Sequence, residues 1–244
     1  MLDSQPSNNY QKPKFPWLVS QHWENVLFLH WSVPVEELQI HIPKILDLEL
    51  FNGQAWIGIV LFKVKRFRPH FLPPIPIFSS FNEINVRTYV NYKGKPGVYF
   101  FTLDTDSRLT VNMAKLFYSL PYRLAKIESK MRNRGIEFIS NEKSSRQSIE
   151  RFKCVYKPDS PVYYSQKGTL DYWLTERYCL WAMKRDRLIR VDIQHKKWGL
   201  QEVKATIEMN SLASFLPCSI FEAEPYAHFS REKQAFLWPP VYET

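Results

Sequence analysis

Residues 81–122, FNEINVRTYVNYKGKPGVYFFTLDTDSRLTVNMAKLFYSLPY, constrain the fold more than any other stretch of this chain. Glu83, Asn85 and Arg87 fall at alternate positions of a β-prone run. Successive strand side chains point to opposite faces, so these three share one face while Ile84, Val86 and Val90 share the other. A turn at Lys93 to Gly97 leads into a second strand, Val98 to Leu103, which makes a hairpin with the first. The spacing of Leu109, Met113, Leu116 and Phe117 then predicts a helix from Arg108 to Ser119, capped by Ser107 and ended by Pro121.

Two readings of the polar face stand. Glu83 and Arg87 could form a cross-strand charge pair worth roughly 0.2–1 kcal/mol. Alternatively, the face lines a barrel or cleft, where a carboxylate and a guanidinium hold a polar ligand by directional bonds.

The rest of the chain supports a β protein with a large core. Apolar residues make up 45% of the 244, with 17 Phe, 13 Tyr and 8 Trp, enough for a core built on aromatic packing. Seven glycines against seventeen prolines mean that proline does much of the punctuation, and Pro69 to Phe78 reads as a stiff extended connection. Asn25 to Val33, Gln54 to Val64, Glu150 to Tyr156, Cys179 to Met183, Leu188 to Ile193 and Gln201 to Met209 read as strands. Arg123 to Met131 alternates and returns through a turn at Asn133 to Gly135 into Ile136 to Ser140, a further hairpin. Pro34 to Ile42 and Leu170 to Tyr178 read as short helices. With no repeat and no convincing linker, the expectation is a polar tail over residues 1–20 and one mainly antiparallel β domain, class α+β, over 21–244.

The formal charge is +9, but its basic residues are dispersed and no zinc, helix-turn-helix or RNA-recognition signature is present, which argues against specific nucleic-acid binding. No run of about 18 apolar residues exists to span a membrane. Cys154, Cys179 and Cys218 include no CxxC pair, so a disulfide framework is not expected and a cytoplasmic location is. His30, His195 and His228 lack metal-ligand spacing, and neither GxSxG nor a phosphate-cradling glycine loop occurs. No metal and no cofactor is expected.

Several pieces together, FLHW at Phe28, GQAW at Gly53, FNEINVRTYV at Phe81, GKPGVYFF at Gly94, LPY at Leu120, LTERYCL at Leu174 and the pair His195 and Trp198, resemble the YqjF-like family of bacterial proteins of unknown function. That family is related in fold to acetoacetate decarboxylase. The resemblance spans most of residues 21 to 240 and implies a cone-shaped β-barrel, closed or nearly so, with helices outside, a pocket inside and a homo-oligomeric assembly. It also implies that a Schiff-base lysine would follow the proline after the helix. Here Tyr122 and Arg123 follow Pro121. Tyrosine has no amine and arginine keeps its proton, so imine chemistry does not carry over. Lys126 has the wrong parity to replace it, and Lys115 sits on a solvent flank of the expected helix.

Glu83 matches the glutamate that acetoacetate decarboxylase contributes to its pocket; as an alternative it makes a structural salt bridge with Arg87 or Arg123. Glu176 and Arg177 match the family too; their expected role is an ion pair anchoring a helix end to the barrel, with a role in the pocket as the alternative. The resulting expectation is an internal pocket for a small organic ligand bearing a keto or carboxylate group. Glu83 and Tyr122 are the candidate catalytic residues; Asn85, Arg87, Arg123, His195 and Trp198 are the candidate ligand-binding residues. The alternative is a lyase or isomerase using acid–base chemistry in the same pocket.

Overall fold

A computed structural model describes residues 13, 15–73, 80–114, 120–133, 135–142, 150–184 and 186–243. The chain runs β1 (Val19–Val33), α1 (Val35–Gln39), β2 (Asp47–Leu48), β3 (Ala55–Pro69), β4 (Phe81–Tyr92), β5 (Lys95–Thr105) and α2 (Arg108–Met113). It continues β6 (Tyr122–Arg132), β7 (Gly135–Glu142), β8 (Arg151–Pro158), α3 (Leu170–Thr175), β9 (Cys179–Lys184), β10 (Arg187–His195), β11 (Gln201–Asn210), β12 (Tyr226–Leu237) and β13 (Val241–Tyr242).

All these strands belong to one sheet, which closes into a barrel of nine strands through β5, β6, β7, β8, β11, β12, β1, β3 and β4. Neighbours are antiparallel except that β5 runs parallel to both β6 and β9. The sheet also branches. At one end β5 pairs with β6 through Leu103 to Thr105, and at the other with β9 through Val98 and Tyr99. Similarly, β12 pairs with β11 at Phe229 and with β10 from Ala235 to Leu237. A second, smaller ring therefore closes through β5, β4, β3, β1, β12, β10 and β9.

The strands β1, β3, β4, β5 and β12 are a wall shared by the two rings, and both faces of that wall are covered. Leu27, Leu29, Ile59, Leu61, Ile84 and Val86 pack with Ala125, Ile127, Phe138, Phe152 and Phe229 inside the larger ring. The alternate residues Val26, Phe28, Val60 and Phe62 face the smaller ring. Period-two alternation thus separates two interiors here, where on an ordinary antiparallel sheet it separates core from water.

The hairpin of β4 and β5 forms as expected, with a tight turn at Lys93 and Gly94, and so does the hairpin of β6 and β7. Ser107 Oγ accepts from the Thr110 N–H at 3.1 Å, the expected cap of α2. The expected helix continued to Ser119, but residues 115–119, with Lys115, Leu116 and Phe117, lie outside the described residues. So do 74–78 of the proline-rich connection. The tail expected over 1–20 is shorter, because β1 begins at Val19 and the Leu18 N–H already donates to Leu237 O at 2.8 Å. Among the described residues no helix is long and apolar enough to cross a membrane.

Candidate functional site

The smaller ring encloses a cavity in which about 80 Å³ is open to the centre of a water-sized sphere. A single water needs only roughly 10–15 Å³ by that measure, so the space suits an organic molecule of several heavy atoms. Glu83, Asn85 and Arg87 line it from β4, Tyr122 from the start of β6, and His195 and Trp198 from β10 and the loop after it.

Two bulges aim further side chains at this space. Asn25 takes φ 54° where the register of β1 against β3 shifts between Glu24 and Leu27, which puts Gln21 and Trp23 on the same side as Val26 and Phe28. In β5 the register shifts opposite Val86 and Arg87, so Phe100 joins Leu103 at the cavity although they are an odd number of positions, three, apart. Each extra residue inverts the parity of the strand beyond it.

Glu83 is 4% exposed. Its Oε2 accepts the Tyr122 hydroxyl at 2.7 Å and its Oε1 the Asn85 amide at 3.4 Å. Burial raises its pKa to about 7 against these two hydrogen bonds, which pull it down, with the charge of Asp104 adding a small upward push. Desolvation is the largest of these effects and sets the sign. Near neutral pH this carboxyl can either give or take a proton.

Arg87 donates from Nη2 to Leu174 O at 3.4 Å, and its guanidinium lies 5.7 Å from the Phe28 ring centroid and 5.9 Å from that of Tyr89. Among the described residues no carboxylate comes within ion-pair distance of it. The cross-strand pair with Glu83 considered for the sequence does not form. Gly58 pairs with Arg87 on one side and His30 on the other, and it makes room for His30: a Cβ there would lie 3.0 Å from His30 Cδ2, against an ordinary 3.6 Å from Arg87 Cγ.

Arg123 is not among the cavity-lining residues. It shares the parity of Ala125 and Ile127, which face the larger ring, whereas Tyr122 faces the smaller one. Its Nε and Nη2 grip Asp104 at 2.7 and 2.8 Å, and Nη2 also reaches Glu150 at 2.6 Å. Its side chain is turned to Asp104 and Glu150 on the other face of the strand, which corrects the ligand-binding role expected for Arg123.

Arg177 makes an ion pair with Glu49 and also lines the cavity, the alternative role considered for it. Its guanidinium packs 4.5 Å from the Trp173 ring centroid, and its buried Nη2 has no hydrogen-bond partner among the described residues. Glu176 accepts the Trp198 N–H at 2.8 Å and the Tyr178 hydroxyl, fixing the loop that carries Trp198. His195 is buried and its pKa is lowered, chiefly by desolvation. As a neutral ring it donates best from Nδ1 to Lys196 O at 2.9 Å.

No lysine lines the cavity among the described residues. Lys126 is exposed and lies 3.5 Å from Glu128. The sequence offered no signal for Lys233, whose pKa burial lowers to about 8. Its Nζ donates to Lys197 O at 2.7 Å and lies 5.1 Å from the Trp198 ring centroid, near the cavity without lining it.

A family model for DUF2071, described as an uncharacterized conserved protein, matches residues 20–234. The chain is 38% identical over 239 residues to the uncharacterized protein YqjF of Bacillus subtilis (strain 168), covering 98% of each. Acetoacetate decarboxylase of Legionella pneumophila superposes with a TM-score of 0.66 at 13% identity, covering 99% of this chain and 93% of that one. The enduracididine biosynthesis enzyme MppR, solved in complex with pyruvate, superposes with a TM-score of 0.61 at 12% identity, covering 97% and 92%. At these identities the structural matches speak to the barrel fold.

Proposed function

The chain belongs to the DUF2071 family and has an acetoacetate decarboxylase-like barrel, and from that premise we propose that its cavity receives a small organic acid without forming a covalent bond to it. Arg87 holds the carboxylate. The observation that carries this reading is that Arg87 lines a mostly apolar cavity and has no ion-pair partner among the described residues. A guanidinium in such a place is satisfied by a ligand carboxylate, which it can meet with two parallel hydrogen bonds. That MppR has been solved with pyruvate, a small oxo acid, is consistent with this reading.

Glu83 and Tyr122 stand on the same strip of wall as Arg87. A second reading, lyase or isomerase chemistry, is favoured by one observation: a carboxyl near pKa 7 accepts a phenol proton at 2.7 Å beside the space a ligand would fill. Glu83 then takes a proton from carbon or from water and Tyr122 donates one to the departing or enolising oxygen. The cysteines, all without a disulfide, suit a cytoplasmic location.

Titration calorimetry of short carboxylates against the wild-type protein and Arg87→Gln tests the binding reading. One site per chain is expected, with affinity falling at least about tenfold in the variant. Equal affinity of the two proteins would remove Arg87 from the account. Turnover of any acid that Glu83→Gln abolishes while binding persists would establish the second reading.

A further inference from the structure

Polar groups reach the cavity from several elements, Glu83, Asn85 and Arg87 from β4, Tyr122 from β6, Gln21 from β1 and Arg177 and His195 from the far side. Between them one stretch of wall, on β3 and β1, presents Val60, Phe62, Val26, Phe28 and Trp23. Four of the rings form a connected cluster. Phe28 meets Trp198 edge to face at 4.9 Å between centroids, Trp198 stacks on Trp23 at 6.1 Å, and Trp23 lies 5.2 Å from Phe62. The cluster begins beside the proposed anchor, because the Arg87 guanidinium is 5.7 Å from the Phe28 centroid.

We infer that the occupant is an amphipathic carboxylic acid, whose apolar part, an aromatic ring or branched alkyl chain a few bonds from the carboxylate, packs against Phe28, Phe62, Trp23 and Trp198. This rests on the reading of Arg87 as the carboxylate anchor. A two- or three-carbon oxo acid held at Arg87 would leave the space bounded by these buried rings unfilled. Filling it with a ring takes the ligand's own apolar area out of water and makes dispersion contacts with the wall.

The test is calorimetry of the wild-type protein with acetoacetate, 3-phenylpropanoate and 3-phenylpropanamide. The expected result is that 3-phenylpropanoate binds roughly tenfold or more tighter than acetoacetate, and that the amide, of the same shape without the charge, binds weakly. Phe62→Leu, a change away from the Arg87 guanidinium, should weaken 3-phenylpropanoate more than acetoacetate; if that variant does not fold, the wild-type series decides alone. Equal affinities of the two acids would overturn the apolar subsite and leave the carboxylate anchor standing. An amide as tight as its acid would overturn the anchor, and absence of binding by all three at millimolar concentration would overturn both.

Discussion

The Tyr122 hydroxyl donates to Glu83 Oε2 at 2.7 Å across β5, the strand that lies between theirs. Tyr122 sits opposite Leu103 on β5, and Leu103 sits opposite Asn85 on β4, so the phenol crosses diagonally to a carboxylate two positions along. The parallel pairing of β5 with β6, three residues long, makes this contact. It joins residues 39 apart in sequence at the polar strip of the cavity.

Burial of Glu83 makes stability depend on pH. Its folded pKa of about 7 lies above the ordinary 4.5, so the folded state holds the proton more tightly. Its contribution is fully present below about pH 4.5 and is lost as pH rises through about 7, a change of roughly 3 kcal/mol. His30 and His195, whose pKa values burial lowers, act in the opposite direction below about pH 6.5, so the wild type must be compared with Glu83→Gln. Urea denaturation between pH 5 and 8 should show the variant gaining stability relative to wild type as pH rises. Tyr122→Phe, which removes a hydrogen bond that lowers the Glu83 pKa, should move the transition to higher pH.

Arg123 serves stability in this account. Asp104 is 1% exposed and accepts two hydrogen bonds from the Arg123 guanidinium. Arg123→Ala takes this cation from a buried carboxylate and should cost about 3 kcal/mol by chemical denaturation. Affinity for carboxylates should stay within about twofold of wild type where the variant is folded, since the side chain faces the larger ring. A selective loss of affinity would return Arg123 to the cavity.

Gly58→Ala should cost about 1–2 kcal/mol, because the new methyl would crowd His30 at 3.0 Å. Arg87 Cγ would lie 3.6 Å from it, an ordinary contact, so carboxylate affinity should stay within about twofold of wild type. Thermal unfolding reads the first effect and calorimetry the second, and an unchanged unfolding temperature would mean that His30 yields the space freely.

Much of this arrangement is legible in the sequence. The alternation of Glu83, Asn85 and Arg87 against Ile84 and Val86 puts the two sets on opposite faces, and the hairpin turn at Lys93 and Gly94 is local chemistry. What is not legible is non-local or non-periodic. The strand expected to start at Asn25 begins at Val19, because Asn25 is the bulge where period-two alternation breaks. Strand β12 was not anticipated, since its partners are β1, β10 and β11, distant in sequence. Arg123 enters the expected pocket through the resemblance, as one of the two residues after Pro121 where the lysine would stand, and strand parity sends it to the face opposite Tyr122. The ion pair of Arg177 with Glu49 could not be foreseen, because 128 residues separate them.

The central claim, non-covalent binding of an organic acid in a cavity that no lysine among the described residues lines, is tested most directly by one measurement. The protein is incubated with acetoacetate and phenylpyruvate, reduced with borohydride and weighed by mass spectrometry, with thermal unfolding followed on the same samples. The account predicts a rise in unfolding temperature with wild type, none with Arg87→Gln, and no mass increase. A stoichiometric reduced adduct would contradict it, most pointedly one mapped to Lys233, because a covalent imine at a lysine would then do what is assigned here to Arg87.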